Sequence, residues 1–284
     1  MREIFLNAEN ESFFKEHGYI KLPFQRALEI ENYRAKIYAL SPSDNFNAFQ
    51  KTMLHPQDFH CTFFDANEDY RKKVFEILTD FFASSCQNLL YNYRFIQANV
   101  FIKPPFKGYV APHQNLTVVD ETKFTSLSFW CPAQNTNADN GTMVIVPKSH
   151  KKFMKYRTTN ISWPLLPLFS NYDSPFLETI EVKKGEVLLI DDSLIHGTTN
   201  NTTSMERFVF HAMLAPKEAE ILYCTVESEN NKVNIFRVPD LFWQYYMPGD
   251  IPSGLDLWEV RNATEKGLTE EEFRAELYAP AVYK

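Results

Sequence analysis

Apolar residues return at helical spacing through the first ninety positions and at strand spacing after them. Tyr70, Val74, Ile77, Leu78, Phe81 and Phe82 share one side of a helix over 67–90, and their spacing reads as core. Leu28, Tyr33, Ile37 and Leu40 fall near one face of a helix over 26–40. A shorter helix over 9–16 precedes the apolar run Gly18-Tyr19-Ile20-Lys21-Leu22-Pro23, which reads as a strand. From residue 94 the period changes. Short segments rich in Val, Ile, Phe and Thr alternate with Pro, Gly, Asn and Asp. They predict strands near 94–103, 125–133, 142–147, 177–182, 186–191, 207–214, 219–227 and 232–238. Thr269 followed by Glu272 is a capping box for a last helix over 269–278.

A long run of strands without intervening helices predicts a mainly β protein, a two-sheet antiparallel sandwich or jelly roll. No repeat, low-complexity tract or Gly/Ser linker divides the chain. The expected organisation is one domain over 1–284: a mostly helical part over 1–93, a jelly-roll core over 94–240 and a carboxy-terminal extension over 241–284. The aromatic stretch Phe242-Trp243-Gln244-Tyr245-Tyr246-Met247 reads as core.

Composition narrows the function. With 44% apolar and 23% charged residues the chain has the balance of a soluble globular protein. Net charge of −7, from 29 basic and 36 acidic residues, argues against a nucleic-acid partner. The basic run of Lys148, Lys151, Lys152, Lys155 and Arg157 departs from that balance and reads as a solvated loop. No apolar run approaches the ~18 residues of a membrane span, and the amino terminus turns polar before a signal-peptide core could form. The four cysteines show no paired spacing, so the expectation is a cytoplasmic protein with reduced thiols. Only 8 glycines are present and no glycine-rich phosphate loop, G-x-S-x-G or H-E-x-x-H occurs.

Two histidines stand out by context. His113 follows the loop Lys103-Pro104-Pro105-Phe106-Lys107-Gly108, which places it at the start of a strand beyond a bend. His196 follows the buried-strand pattern Val187-Leu188-Leu189-Ile190 and precedes Gly197-Thr198. A lone histidine at a strand end is ordinarily structural. A jelly roll, however, can bring distant strand ends to one rim, where imidazoles suit ferrous iron. Eleven residues past His196, Arg207 enters the apolar strand Arg207-Phe208-Val209-Phe210. A buried arginine needs an anionic partner, and a carboxylate held by its planar fork would serve. His211, in phase with Val209, reads as core.

These pieces, taken in order, resemble the phytanoyl-CoA dioxygenase family of iron(II)/2-oxoglutarate oxygenases. The likeness runs from about Arg94 to Pro216, with a family-like start at Phe13-Phe14-Lys15-Glu16-His17-Gly18-Tyr19. It rests on Ile102-Lys103-Pro104-Pro105, His113-Gln114-Asn115, Trp130, Asn140-Gly141 through Ser149-His150, and His196-Gly197-Thr198 with Arg207. Lys148 stands where the family usually has glycine. The resemblance implies a double-stranded β-helix of the cupin-like kind that holds Fe(II) and uses 2-oxoglutarate and O2. It makes His113 and His196 the imidazole ligands and position 115 the third. Arg207 would bind the distal carboxylate of 2-oxoglutarate with help from Thr198. Trp130 and Asn99, on neighbouring strands facing the site, would flank it. His150 looks like a structural member of its segment. The implied reaction couples oxidative decarboxylation of 2-oxoglutarate to hydroxylation of an unactivated C–H bond in a small molecule. Substrate identity and oligomeric state are not legible.

One departure is serious: the family's His-x-Asp reads His113-Gln114-Asn115 here. A carboxamide can offer its oxygen but brings no charge to a dication. The alternatives are an oxygenase that works with Asn, a halogenase-like enzyme with chloride at the vacated position, and a catalytically silent small-molecule binder. A deliberate Asp→Asn change, or another carboxylate taking over, would also account for it. Asp120 and Asp192 are nearest in sequence, but neither has ligand spacing from a histidine. The first alternative ranks highest, because both histidines, Thr198, Trp130 and Arg207 are present together.

Overall fold

Asn67 opens the long helix by accepting a hydrogen bond from the Tyr70 N–H, with Glu68 and Asp69 in the first turn where the helix dipole favours them. A computed structural model describes residues 2–46, 50–51, 56–153, 156–158, 164–169, 174–227, 232–263 and 267–279. In chain order its elements begin with α1 (Ala8–His17), β1 (Tyr19–Pro23), α2 (Ile30–Tyr38), β2 (Gln50–Lys51), β3 (Pro56–Gln57), β4 (His60–Cys61) and α3 (Glu68–Leu89). The strands β5 (Tyr93–Lys103), β6 (Val110–His113), β7 (Leu127–Pro132), β8 (Met143–Ile145), β9 (Glu178–Ile180), β10 (Glu186–Asp191), β11 (His196–Thr198) and β12 (Arg207–Pro216) follow. The chain continues with β13 (Ile221–Glu227), β14 (Lys232–Val238), α4 (Phe242–Tyr245), β15 (Asp256–Asn262) and α5 (Glu270–Tyr278).

A six-stranded sheet of order β1-β10-β7-β12-β5-β4 and a four-stranded sheet of order β6-β11-β8-β9 make up the double-stranded β-helix. Strand β12 is buried along its whole length because both of its faces are covered. Phe208, Phe210, Ala212 and Leu214 meet the helices, packing with Val74, Leu78, Phe81 and Phe82 of α3. Val209, on the other face, packs with Trp130, Leu188 and Ile190 and with Met143 and Ile145 of the small sheet. Inner positions of β12 therefore point at the space between the sheets, and Arg207 and His211 share that phase.

Phe81 is fully buried, with ring centroids 4.6 Å from Phe24, 4.8 Å from Tyr33 and 4.6 Å from Phe210. It joins α3 to the back of the sheet that carries the site. Phe81→Ala is expected to destabilise the fold by about 3–5 kcal/mol, measured as a lower urea midpoint with unchanged slope.

Several expectations change. The helix expected over 26–40 splits into a 3-10 turn at Ala27–Glu29 and α2, and Leu28 is fully exposed rather than on the buried face. His113 ends its strand instead of starting it. The carboxy-terminal extension contributes β15, an added strand beside β14 in a third sheet. Of the aromatic stretch, Phe242 and Trp243 are buried, whereas Tyr245 and Tyr246 are exposed. The basic run is not a solvated loop. Lys151 lies 3.4 Å from Asp191, Lys152 donates to the carbonyls of Leu277 and Ala279, and Arg157 is buried against Glu121. Lys148 remains exposed, and Lys155 lies outside the described residues.

Candidate active site

Strands β6 and β11 pair antiparallel, with His113 directly opposite His196. The ring centroids are 4.5 Å apart. Gly197 makes this approach possible: a Cβ there would lie 2.7 Å from the Val110 carbonyl oxygen, so the neighbouring strand leaves no room for a side chain. Each imidazole has its Nδ1 against a main-chain carbonyl two residues back, His113 on Ala111 at 2.8 Å and His196 on Leu194 at 2.9 Å. That contact assigns the proton to Nδ1 and presents Nε2 as the basic nitrogen, the arrangement used by metal-ligating histidines. Burial, with His113 alongside, holds His196 well below the usual imidazole range, so it is neutral and able to ligate.

Asn115 follows two residues beyond His113. Its backbone N–H donates to the Asp192 carbonyl at 2.9 Å, and its own carbonyl accepts from Arg157 Nε at 2.5 Å. Its Nδ2 donates to Asp192 Oδ1 at 2.9 Å, and the Ser128 hydroxyl donates to the same oxygen at 2.6 Å. Burial pushes the Asp192 carboxyl up to about 6 against the pull of these two hydrogen bonds. Asp120 instead closes a turn, accepting from Thr122 and pairing with Lys123 at 2.8 Å.

The second part of the site is cationic. Arg207 is 1% exposed, its guanidinium carbon stands 5.7 Å from the Trp130 ring centroid, and its Nε and Nη1 have no hydrogen-bond partner among the described residues. Burial draws its pKa down to about 9. Directly across the ladder is Lys103, fully buried, whose ammonium donates to Thr198 Oγ1 at 2.6 Å and to the Thr199 carbonyl at 2.5 Å. Burial, and then the nearby Arg207, hold Lys103 well below the ordinary lysine range. Two buried basic side chains side by side, one with unsatisfied donors among the described residues, fit a carboxylate-bearing ligand. In the sequence Lys103 is marked only by its place in Ile102-Lys103-Pro104-Pro105, yet a lysine in an apolar strand before Pro104-Pro105 must find buried partners.

Asn99 is not on a strand next to that of Trp130. It is opposite His211, which is in turn opposite Trp130, so β12 runs between β5 and β7 and the strands of Asn99 and Trp130 are not neighbours. Asn99 donates to Gln97 Oε1 at 3.1 Å and sits 3.3 Å from His211 Nδ1. His211 is buried, and burial takes its pKa down to about 3. His150 braces the end of α1: its Nε2 meets the Lys15 carbonyl at 3.1 Å, and a Cβ on Gly18, at φ 80°, would strike its ring at 2.4 Å. Lys148 carries a left-handed φ of 67°, a conformation suited to glycine.

Among the described residues, one group of three His, Cys, Asp or Glu side chains converges closely enough to share an ion: Asp44, His60 and Asp65. Its donors are already used. His60 Nδ1 meets Asp44 at 2.7 Å and His60 Nε2 meets the Tyr70 hydroxyl at 2.9 Å, while Asp65 accepts from the N–H groups of Ser43 and Asn67. That cluster ties the loop before α3 to the sheet edge.

A family model described as phytanoyl-CoA dioxygenase matches residues 14–209. The phytanoyl-CoA dioxygenase domain-containing protein 1 of Danio rerio is 28% identical over 123 residues, covering 40% of this chain and 42% of its own. The matched segments span between 39% and 47% of the length of the curated relatives. HygX from Streptomyces hygroscopicus, solved with nickel, 2-oxoglutarate and hygromycin B, superposes with a TM-score of 0.51 at 17% identity over 75% of this chain and 88% of HygX. The non-heme alpha ketoglutarate dependent epimerase SnoN from nogalamycin biosynthesis gives 0.53 at 14% identity over 92% and 94%. At these identities the structural likeness is one of fold. Among the described residues no helix is long and apolar enough to cross a membrane.

Proposed function

Since the chain belongs to the phytanoyl-CoA dioxygenase family, we propose that it is a non-haem iron(II)/2-oxoglutarate-dependent oxygenase that hydroxylates an unactivated C–H bond of a small molecule. The observation that carries this reading is the buried pair Lys103 and Arg207 beside the two histidines' strands. Unpaired buried charge is costly, and a dianionic cosubstrate is the ligand that would neutralise it. His113 and His196 would hold the metal through Nε2, with the side-chain oxygen of Asn115 as third donor. When bound, iron with 2-oxoglutarate and O2 supplies the oxidising power for C–H cleavage, which no side chain has.

The chain's own work is binding and orientation. Arg207 takes the far carboxylate of 2-oxoglutarate, Lys103 tethers the Thr198 hydroxyl beside it, and Trp130 covers the guanidinium face. Asn99, with Gln97 and His211, forms the polar end of the same inner face. The packed inner face formed by Trp130, Leu188, Ile190 and Val209 excludes water. A chloride-binding, halogenase-like site is disfavoured, because Asn115 fills the position that chloride would need and is tied at both main-chain polar groups.

The test is anaerobic addition of iron(II) and 2-oxoglutarate to the purified protein. A weak visible charge-transfer band is expected only with both present, followed by succinate formation on admitting air. A protein that binds 2-oxoglutarate with unchanged affinity with or without metal, and gives neither band nor succinate, is instead a small-acid binder.

A further inference from the structure

The chain lacks the family's aspartate at position 115, yet it has a carboxylate immediately behind that position. Asp192 is fully buried, and its Oδ1 accepts from Asn115 Nδ2 at 2.9 Å and from the Ser128 hydroxyl at 2.6 Å. The main chains are joined as well, Asn115 N–H to the Asp192 carbonyl at 2.9 Å. From the other side, Arg157 grips the Asn115 carbonyl and is itself paired with Glu121 at 2.8 Å. Asn115 is thus immobilised at its N–H, its C=O and its amide nitrogen.

This arrangement decides which way the carboxamide faces. An ionised carboxylate only accepts, so the amide NH2 must face Asp192, and the Oδ1 end is the one left for another partner. Asp192 Oδ1 is already held by Asn115 and Ser128, and among the described residues Asp192 does not form with His113 and His196 a group of three close enough to share an ion. Taking the oxygenase reading above as its basis, we propose that Asp192 is a positioning residue that aims the Asn115 oxygen at the metal and supplies, one group further out, the negative charge that a coordinating aspartate would bring directly. A carboxylate hydrogen-bonded to a ligand's donor end makes the ligand's other end more basic, as carboxylates do for metal-bound imidazoles. In a water-excluded site the charge is also felt through space, because little solvent screens it. The pair therefore divides between two residues what one aspartate does elsewhere: Asn115 is the neutral ligand and Asp192 the counter-charge.

Anaerobic iron(II) titration by calorimetry, without 2-oxoglutarate or turnover, provides the test. Asp192→Asn preserves the shape and one acceptor oxygen, replaces the other oxygen with an NH2 and removes the charge. It is expected to weaken iron binding by about tenfold to a hundredfold. The exchanged variant Asn115→Asp/Asp192→Asn, which moves the charge to the metal, should restore binding to at least the parental level. Asn115→Asp alone sets two buried carboxylates against each other, so the metal-free protein should unfold at lower urea and recover in the exchanged variant. His113→Ala runs alongside as the control for the metal site. If Asp192→Asn binds iron like the parent while His113→Ala does not bind, the Asp192 proposal is overturned and the oxygenase reading stands. If Asp192→Asn and the exchanged variant are equally weak, Asp192 acts through the fold alone and the proposal is likewise overturned. If His113→Ala also binds normally, the metal site is elsewhere and the oxygenase reading itself fails.

Discussion

Replacing His196 with alanine is expected to abolish iron(II) binding, with a loss larger than the ~100-fold that removal of an outer hydrogen-bond partner causes. His196 is the deeper of the two imidazoles, fixed by the Leu194 carbonyl and lying opposite His113 across the β6–β11 ladder. The residues left behind, one imidazole and a neutral carboxamide, cannot hold a dication that elsewhere keeps a carboxylate. His113→Ala should act in the same direction. Far-ultraviolet circular dichroism and urea unfolding separate this from loss of fold, because neither ring belongs to the apolar cluster between sheet and helices. Calorimetric titration showing parental iron affinity in both variants would dismiss the assignment.

Arg207→Ala should weaken 2-oxoglutarate binding by about thirtyfold or more, in line with the ~2–5 kcal/mol seen when one partner of a buried charge pair is truncated. The effect on the metal-free fold should be much smaller. The guanidinium is buried with two nitrogens unsatisfied among the described residues, so removing it relieves a desolvated charge while it opens a cavity. Binding falls while stability barely moves, a combination that a merely structural arginine would not show. Arg207→Lys should also bind poorly. The ammonium lacks the planar fork, and it would stand across the ladder from Lys103, where a second buried amine favours loss of a proton. Equal 2-oxoglutarate affinity in the parent, Arg207→Lys and Arg207→Ala, measured with metal present, would place the anchor elsewhere.

Much of this site is legible without coordinates because its parts are local. The strand of Arg207, the His196-Gly197-Thr198 turn into a strand, and the helix carrying Phe81 and Phe82 follow from period and composition, which act over a few residues. The strand of His113 was less readable. It has four residues, only one of them buried, and it exists because β11 pairs with it rather than because of its own apolar pattern. For the same reason β15, largely exposed on both faces, gave no alternating signal. The basic run from Lys148 to Arg157 reads as exposed from charge alone, because the partners of Arg157 lie 36 and 42 residues away at Glu121 and Asn115.

What the amino-acid sequence determined by itself is the class of fold and the family, and through the resemblance it names the groups proposed for the site: two imidazoles, a carboxamide and an arginine. What tertiary structure alone decided is how those groups are charged and aimed. Asp192 is 77 positions from Asn115, and Lys103 is 95 from Thr198. No periodicity links such pairs; the ladders β6–β11 and β5–β12 and the loop beneath β10 bring them together. Burial there removes the water that would otherwise screen each charge, so the missing carboxylate at position 115 can be compensated only by a group that the fold, and not the motif, places beside it.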